Sequence, residues 1–464
     1  MKRTSYLFLV LFGGVVIAGT AWGQTLRQPN SVRPAVSDYS YYLEDDEPSP
    51  SDVPRASRPL VTADGCGVAG CPDCGGSCGG RCRSWSVYDF FPNSDCCEKW
   101  RLFPELPYCF TLQGWVDAGA TANEWSTPSR YNGPLAFNDR RELQMNQLYL
   151  VLDRPVQMDG YGWDWGARVD LMYGTDYIFN QELGWETRPD GTPKWNGHTQ
   201  YGLAMPQAYV EVARNQLSLK LGRFYTIMGY ENPMAPANFF YSHAYTFVYG
   251  EPFTHTGGLF TWRYSDQLDL YGGLVNSWDQ FDGQSDRLNV LAGFAYRPCH
   301  GAYWMNGSII LGPTHIGGGV YRNTTFYSLV FGLQLTERLE YVLQHDLGWT
   351  QDQLGPGQDA EWYGVNQYLL YSLNECWKFG ARFEWFRDDD GVRVTGVRAT
   401  NPYAGGSAGN FYDVAVGLNW IPSPNVLVRP EIRWDKFDGV GALPFNDGAS
   451  NRQLSAALDV ILHF

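Results

Sequence analysis

Beyond its N-terminus the sequence lacks long hydrophobic runs, and only 18% of its residues are charged. No run of about 18 apolar residues follows residue 23, so we expect no membrane-spanning helix in the mature chain. The formal net charge is −15, with no cluster of Lys and Arg to neutralise phosphates, so no nucleic-acid partner is expected. The 7 His residues are scattered and no glycine-rich phosphate loop occurs, so neither a metal nor a cofactor is expected.

The sequence also lacks a convincing catalytic pair. Ser242 and His243 are adjacent, and adjacent residues of an extended segment point to opposite faces, so they cannot act together as nucleophile and base. No nucleophile elbow occurs elsewhere in the chain. We therefore do not expect an enzyme.

The first residues have the features of an export signal. Lys2 and Arg3 precede an apolar run at residues 6–18, and Ala21-Trp22-Gly23 forms a small-x-small cleavage site. We predict a signal peptide at residues 1–23, so the chain is exported.

Two segments with little core-forming character follow. Residues 24–62 are rich in Pro and Ser and cannot bury enough apolar surface to offset the entropy of ordering, which predicts a disordered linker. Residues 63–107 form a Cys-rich segment that carries Cys66, Cys71, Cys74, Cys78, Cys82, Cys96 and Cys97. An exported chain with 10 Cys favours disulfides, while a structural zinc site and free or intermolecular thiols remain alternatives.

From residue 108 to residue 464 the sequence alternates with a period of two, which predicts strands with two chemically different faces. Near the C-terminus, Val428, Ile432 and Trp434 share one face. The opposite face carries Arg429, Glu431, Arg433 and Asp435. The same pattern places Arg382 and Glu384 opposite Phe379, Ala381, Phe383 and Trp385.

The turns between these segments alternate in length, with short turns on one side and long polar connections on the other. The long ones are predicted at residues 121–142, 174–204, 226–257, 277–287, 350–362, 388–410 and 438–453. This asymmetry favours an all-β fold, a transmembrane antiparallel up-and-down barrel whose two rims face different compartments. We predict about 16 strands, within a range of 14 to 18, starting near Phe110, Leu143, Trp163, Met205, Leu217, Gly258, Leu268, Leu288, Tyr303, Thr325, Leu339, Tyr363, Trp377, Phe411, Val426 and Leu454.

Aromatic residues recur near the predicted strand ends, where amphipathic rings would lie at the two membrane interfaces. They are Trp163, Trp262, Trp349, Trp377, Trp385, Trp420 and Trp434. Phe464 ends an alternating last strand, which is the signal that the outer-membrane assembly machinery is expected to recognise. We therefore expect the barrel to lie among outer-membrane lipids.

Two strings within the barrel region carry a more specific likeness. GRFYTIMGYE at residues 222–231 and SHAYTFVYGEPFTHTG at residues 242–257 resemble the OmpL-like porin-2 family of β-barrel porins. The resemblance covers roughly the barrel region and leaves residues 24–108 outside it. It implies a fold and an outer-membrane location more than a substrate.

The strand count also resembles that of trimeric general porins, whose third long loop folds into the lumen and narrows it. By that analogy we expect a homotrimer and name four constriction-loop candidates, Glu231, His243, Glu251 and His255. The pore-lining candidates are Arg168, Asp170, Arg382, Glu384, Arg429, Glu431, Arg433 and Asp435. An acidic loop facing a basic wall would set a transverse field across an aqueous path. Alternatively, the loop residues lie outside in solvent or fix the loop by hydrogen bonds.

These expectations lead to a functional hypothesis, an outer-membrane porin for passive diffusion of small hydrophilic solutes or ions. From residue 108 onward, 24 Lys and Arg face 37 Asp and Glu, a balance of −13 that favours a mild cation preference. One alternative is a structural envelope-anchoring barrel whose Cys-rich segment cross-links or tethers to partners. A soluble secreted β-protein is the other.

Overall fold

The computed structural model describes residues 100–464 except 105, 159–161, 189, 191, 197–199, 283–286, 299–301, 375, 397 and 399. The predicted signal peptide (1–23), the linker (24–62) and nearly all of the Cys-rich segment (63–107) lie outside the described residues. No helix in the described part of the chain is long and apolar enough to cross a membrane.

The described chain is mostly β-strand, with four short helical turns at Pro107–Cys109, Thr175–Asn180, Ala235–Ala237 and Thr246–Gly250. The strands are β1 (Thr111–Asn123), β2 (Leu143–Arg154), β3 (Trp163–Gly174), β4 (Gly202–Ala204), β5 (Ala208–Arg214), β6 (Leu217–Tyr225), β7 (Thr254–Ser265), β8 (Leu268–Val275), β9 (Asn289–Tyr296), β10 (Tyr303–His315), β11 (Tyr321–Thr336), β12 (Leu339–Gly355), β13 (Gln358–Asn374), β14 (Trp377–Asp388), β15 (Ser407–Ser423), β16 (Val426–Gly441) and β17 (Arg452–His463).

Except for β4 and β5, each strand pairs antiparallel with its neighbours in sequence, and β17 pairs with β1 to close a barrel. β4 and β5 both pair with β3, so they are two parts of one barrel strand interrupted at residues 205–207. The barrel therefore has sixteen strands, as the alternation and turn spacing predict. Closure leaves no sheet edge, so the backbone groups of the wall are satisfied within the wall.

The two faces of the wall differ as the alternation predicts. On β14, Phe383 points outward and is 43% exposed, whereas its neighbour Arg382 points inward and is fully buried. Exposed apolar side chains recur around the wall, including Leu219, Phe260, Leu329 and Ile432. Such a band is suited to lipid, because a charge on the lipid face costs about 2–4 kcal/mol near the bilayer centre.

The strands are joined by short turns at one rim and by longer loops at the other, here called the short-turn rim and the long-loop rim. Loops 1, 2, 3, 4, 7 and 8 comprise residues 124–142, 175–201, 226–253, 276–288, 389–406 and 442–451. Trp377 and Trp420 stack at the short-turn rim, with ring centroids 5.6 Å apart. Trp385 lies eight residues further along β14, about 26 Å in an extended strand, which is close to the height of an apolar membrane band.

One predicted loop is wrong. Residues 350–362 were expected to form a long connection, but β12 and β13 continue to Gly355 and from Gln358, with a tight turn between them. The pairing is irregular between Thr350 and Gly355. Polar residues such as Gln351 and Gln353 cover this part of β12, so no apolar face marks it as strand.

The segment before the barrel is attached to the short-turn rim. The backbone N–H of Trp100 donates to Asn425 Oδ1 at 2.7 Å, and Asn425 Nδ2 donates to the Trp100 carbonyl at 2.8 Å. Phe103 packs edge-on against Phe464, with centroids 6.3 Å apart. The described start of the extension therefore lies beside the last strand.

Candidate functional site

Loop 3 folds into the barrel and contacts the inner wall on the opposite side. It leaves the wall after β6 and returns at β7, yet its central residues bond to β14 and β16. Most of its backbone is irregular, and a buried irregular backbone must find partners for its N–H and C=O groups. Charged wall side chains provide many of them.

Arg382 on β14 is one of these wall residues. Its Nη1 donates to Glu231 Oε1 at 2.9 Å and to the Ser242 carbonyl at 2.8 Å, both in loop 3. Its Nη2 donates to Asp413 Oδ2 on β15 at 2.6 Å. One buried guanidinium therefore ties two points of loop 3 to two strands.

Arg429 on β16 holds the first half of the loop. Its Nη1 lies 2.9, 2.8 and 3.1 Å from the carbonyl oxygens of Ala235, Asn238 and Phe240. Its Nε donates to Asp459 on β17 at 3.0 Å. The guanidinium replaces the hydrogen bonds that a helix or strand would give this stretch of backbone.

Arg433 lies four residues further along β16 and holds the second half of the loop. It donates to the His243 carbonyl at 2.5 Å and forms ion pairs with Asp413 at 2.9 Å and Asp435 at 2.7 Å. Asp435 also accepts a hydrogen bond from the Tyr245 hydroxyl at 2.9 Å. Loop 3 is therefore bonded to the wall along its length.

Two wall carboxylates accept hydrogen bonds from loop N–H groups. Glu384 accepts from the backbone N–H groups of Tyr245 and Thr246 at 2.7 and 2.6 Å, at the start of the short helical turn Thr246–Gly250. A negative charge there is favourable because the first N–H groups of a helical turn have no partner within it. Glu431 accepts from the backbone N–H of Ser242 at 3.0 Å.

Glu231 is the loop residue with the most direct contact to a wall cation. Besides Arg382, it accepts hydrogen bonds from the Tyr368 hydroxyl and the Ala244 N–H, and His243 Nδ1 lies 3.0 Å away. Burial alone would raise the pKa of this carboxyl, but Arg382 and His243 outweigh burial and lower the pKa to about 2. Glu231 therefore stays ionised and paired.

The other two loop candidates have different surroundings. Glu251, near the end of loop 3, accepts a hydrogen bond from Gln344 on β12 at 2.5 Å. His255 lies in β7 rather than in the loop, because the strand starts at Thr254. Its ring nitrogens lie 3.0 Å from the Ser277 carbonyl and 3.0 Å from Thr226 Oγ1, so it joins strand and loop ends rather than narrowing a passage.

Arg168 and Asp170 lie on the inner face of β3. They form a buried ion pair at 2.7 Å, and Asp170 also accepts from the Tyr149 hydroxyl at 2.6 Å. Arg168 contacts loop 3 through the Met234 sulfur at 3.9 Å. All eight pore-lining candidates are thus placed inside the barrel, around loop 3.

The contacts differ from the expected acidic loop facing a basic wall across water. Arg429 and Arg433 pair with wall carboxylates, and the wall carboxylates Glu384 and Glu431 bind the loop backbone. The geometry corresponds to the alternative in which charged residues fix the loop by hydrogen bonds.

In this conformation loop 3 fills the part of the lumen beside β13–β17. Arg382, Arg433 and Asp435 are at most 1% exposed, although a wall residue beside an open aqueous channel would be accessible to water. A cavity of about 10 Å³ lies next to the loop, between Asp117 and Asp176, with room for about one water molecule.

Aromatic residues of several loops pack together at the long-loop rim above it. Residues from loops 1, 3, 4, 7 and 8 form one buried cluster that includes Phe137, Tyr249, Trp278, Tyr403 and Phe445. By contrast, the inner faces of β5, β7 and β8 are partly exposed near the short-turn rim. They carry Tyr209, Glu211, Arg263, Asp269 and Tyr271 and form a vestibule open to water.

Several wall residues that bind loop 3 or its partners carry no recognisable signal in the sequence. Asp413 binds both Arg382 and Arg433, but it lies in a β15 stretch with apolar residues on both faces. Tyr368 donates to Glu231, and Gln344 to Glu251, yet neither carries a charge that would have marked it. Pairing with a loop more than 90 positions away is not visible in the sequence.

Comparison with known families agrees with this geometry. Residues 109–464 match the sequence model of the family described as "Putative beta-barrel porin-2, OmpL-like". None of the curated proteins compared with the chain is similar to it.

Among solved structures, an anion-selective porin from Comamonas acidovorans matches with a TM-score of 0.51 and 12% identity, covering 76% of this chain and 99% of that one. The outer membrane channel DcaP of Acinetobacter baumannii matches with a TM-score of 0.48 and 12% identity, covering 77% and 97%. At 12% identity, the match to the Comamonas acidovorans porin shows only a similar fold.

Proposed function

The chain belongs to the OmpL-like family of β-barrel porins, and on that premise we propose that it is an outer-membrane channel through which small hydrophilic solutes or ions diffuse passively. The observation that carries the proposal is the wall itself, with sixteen strands, apolar outside and charged inside. A barrel with this number of strands encloses a lumen wide enough for an aqueous channel when no loop fills it. Family and fold indicate a channel rather than an enzyme.

We propose that conduction depends on the position of loop 3. The loop fills the lumen beside β13–β17, while the vestibule beside β5–β8 is already open to water at the short-turn rim. We propose that the present arrangement is a closed state, and that solute passes when loop 3 leaves its wall contacts.

A mild cation preference is part of the proposal. Arg168, Arg382, Arg429 and Arg433 each pair with a carboxylate, and further lumen carboxylates remain beyond these pairs. The balance of −13 from residue 108 onward, which includes the charges of the external loops, supports this preference.

Swelling of proteoliposomes that contain the full mature chain tests this function. Uptake of small sugars above the rate of empty liposomes, together with a reversal potential of cation-selective sign under a salt gradient, is the expected result. Liposomes that stay tight to every small sugar and ion would refute the channel. A reversal potential of anion-selective sign would refute the preference only.

A second candidate function is favoured by the filled lumen, an envelope-anchoring barrel with a tethering extension. One further observation supports it: the start of the extension is bonded to the short-turn rim through Asn425. A non-reducing gel tests it. Intermolecular ladders that collapse on reduction would support anchoring, and a monomer band without reductant would count against it.

Export, assembly and oligomeric state complete the proposal. We propose that residues 1–23 are removed on export, that the C-terminal strand ending at Phe464 is recognised by the assembly machinery, and that the barrel forms a homotrimer by analogy with general porins. Sequencing of the mature protein should begin at Gln24, and native mass spectrometry in detergent should show three copies.

A further inference from the structure

Glu251 and Asp346 form a contact between loop 3 and the wall that differs from the ion pairs around Arg382, Arg429 and Arg433. Glu251 lies near the end of loop 3, three residues before β7 begins at Thr254. Gln344 Nε2 donates to Glu251 Oε1 at 2.5 Å and to Asp346 Oδ2 at 2.9 Å. One amide nitrogen thus bridges two carboxylates, which are therefore at most two hydrogen-bond lengths apart.

Both carboxylates are deeply buried. Glu251 is 4% exposed and Asp346 is 1% exposed, and Asp346 Oδ1 has no hydrogen-bond donor among the described residues. Gly229 of the same loop packs directly on the Glu251 carboxylate, so a methyl group at Gly229 would overlap with it. The two carboxylates are therefore shielded from bulk solvent.

No cationic side chain of the described residues pairs with either carboxylate. The charged group that faces them from loop 3 is Glu231, which is itself paired with Arg382 of β14. The neighbours on the wall are neutral, Gln344 on β12 and Ser328 on β11. Two like charges so close together in a buried site are unfavourable, and one proton between them removes the repulsion.

We propose that the Glu251–Asp346 pair is a proton-operated latch, in which one bound proton holds the end of loop 3 against β12 and loss of that proton releases the loop. The latch rests on the proposed channel function, because it sets the balance between the closed and the open lumen. Burial first, and then the charge of Asp346, raise the pKa of Glu251 well above its ordinary range. The closed state therefore binds a proton that the open state does not.

The direction of the pH effect follows from this difference. Because the closed state binds more protons, closure is favoured at low pH and is lost as the pH rises through the pKa of the closed state. For one proton, the ratio of open to closed protein rises by up to about tenfold for each pH unit in that range. The channel should therefore open on the alkaline side.

Two readouts on the full-length protein test the latch. The first is open probability in planar bilayers from about pH 5 to about pH 9, which spans the pKa values of strongly buried carboxyls. The second is hydrogen exchange of loop 3 relative to loop 1, which reports loop release without requiring conduction. Each is compared among the wild type, Glu251→Gln, Asp346→Asn and a matched control, Glu337→Gln, in the exposed turn before β12.

In the wild type and the control, both open probability and loop 3 exchange should rise with pH. In Glu251→Gln and Asp346→Asn, both should rise much less with pH than in the wild type, because neither variant can place two charges at the site and only burial still opposes ionisation of the remaining carboxyl. Exchange that rises with pH in both variants as in the wild type would overturn the latch. Exchange that follows the latch pattern without any conductance would refute the channel but retain the latch.

Discussion

Replacing Arg382 with methionine is expected to release loop 3 from the wall. Methionine keeps much of the side-chain volume but removes the guanidinium that binds Glu231, the Ser242 carbonyl and Asp413. Asp413 retains Arg433 at 2.9 Å, so Glu231 is the carboxylate that loses its cation. Removing one partner of a buried ion pair costs about 3–5 kcal/mol, because the charge that is left stays buried without its guanidinium partner.

That cost applies to the closed state and not to an open state in which Glu231 reaches water. The ratio of open to closed protein should therefore rise by about two to four orders of magnitude. Single-channel recording measures the change as a higher open probability, and hydrogen exchange measures it as lost protection of loop 3. Arg338→Met, at an exposed turn of the short-turn rim, is the matched control and should behave like the wild type.

A double variant separates loop release from general damage to the barrel. Glu231→Gln together with Arg382→Met removes both charges, so it should close more readily than Arg382→Met alone. If Arg382→Met has the open probability and the loop 3 exchange of the wild type, the reasoning about the loop-to-wall contact is wrong.

Three further predictions concern the wall, its assembly and loop 7. Phe383→Arg on the lipid face should lower the free energy of unfolding in liposomes by about 2–4 kcal/mol. Leu443→Arg in loop 8 should leave the free energy of unfolding unchanged. Equal values for the two variants would contradict the assigned faces. Deletion of Phe464 should reduce the amount of heat-modifiable barrel in the outer membrane, and unchanged assembly would refute its signal role. Asp388→Ala should raise the exchange of loop 7, because the carboxylate accepts three backbone N–H groups of that loop at 2.8–3.0 Å; unaltered exchange would show that these bonds do not hold it.

The strands could be predicted from the sequence because each face of the wall has its own surroundings. On β14, Arg382 and Glu384 alternate with Phe383 and Trp385, and no other environment fits both faces. The short turns predict the strand order, because two strands joined by a short turn must be antiparallel neighbours in the barrel. Residues 350–362 escaped prediction because β12 and β13 extend past the apolar band.

The candidate site could be predicted only by residue type. Inward placement of Arg382 follows from the alternation, but its contact with Glu231 joins residues 151 positions apart. That contact depends on the path of loop 3 through a closed barrel, which no local pattern specifies. Neutral partners such as Gln344 become visible only when the wall and the loop are placed together.

Single-channel conductance of the full-length protein, recorded for the wild type and for Arg382→Met in the same bilayer, tests the central claim most directly. A channel that is closed by loop 3 predicts rare, uniform openings in the wild type and frequent openings of the same size in the variant. Inserted, heat-modifiable barrels that conduct in neither form would contradict it and would leave envelope anchoring as the better explanation.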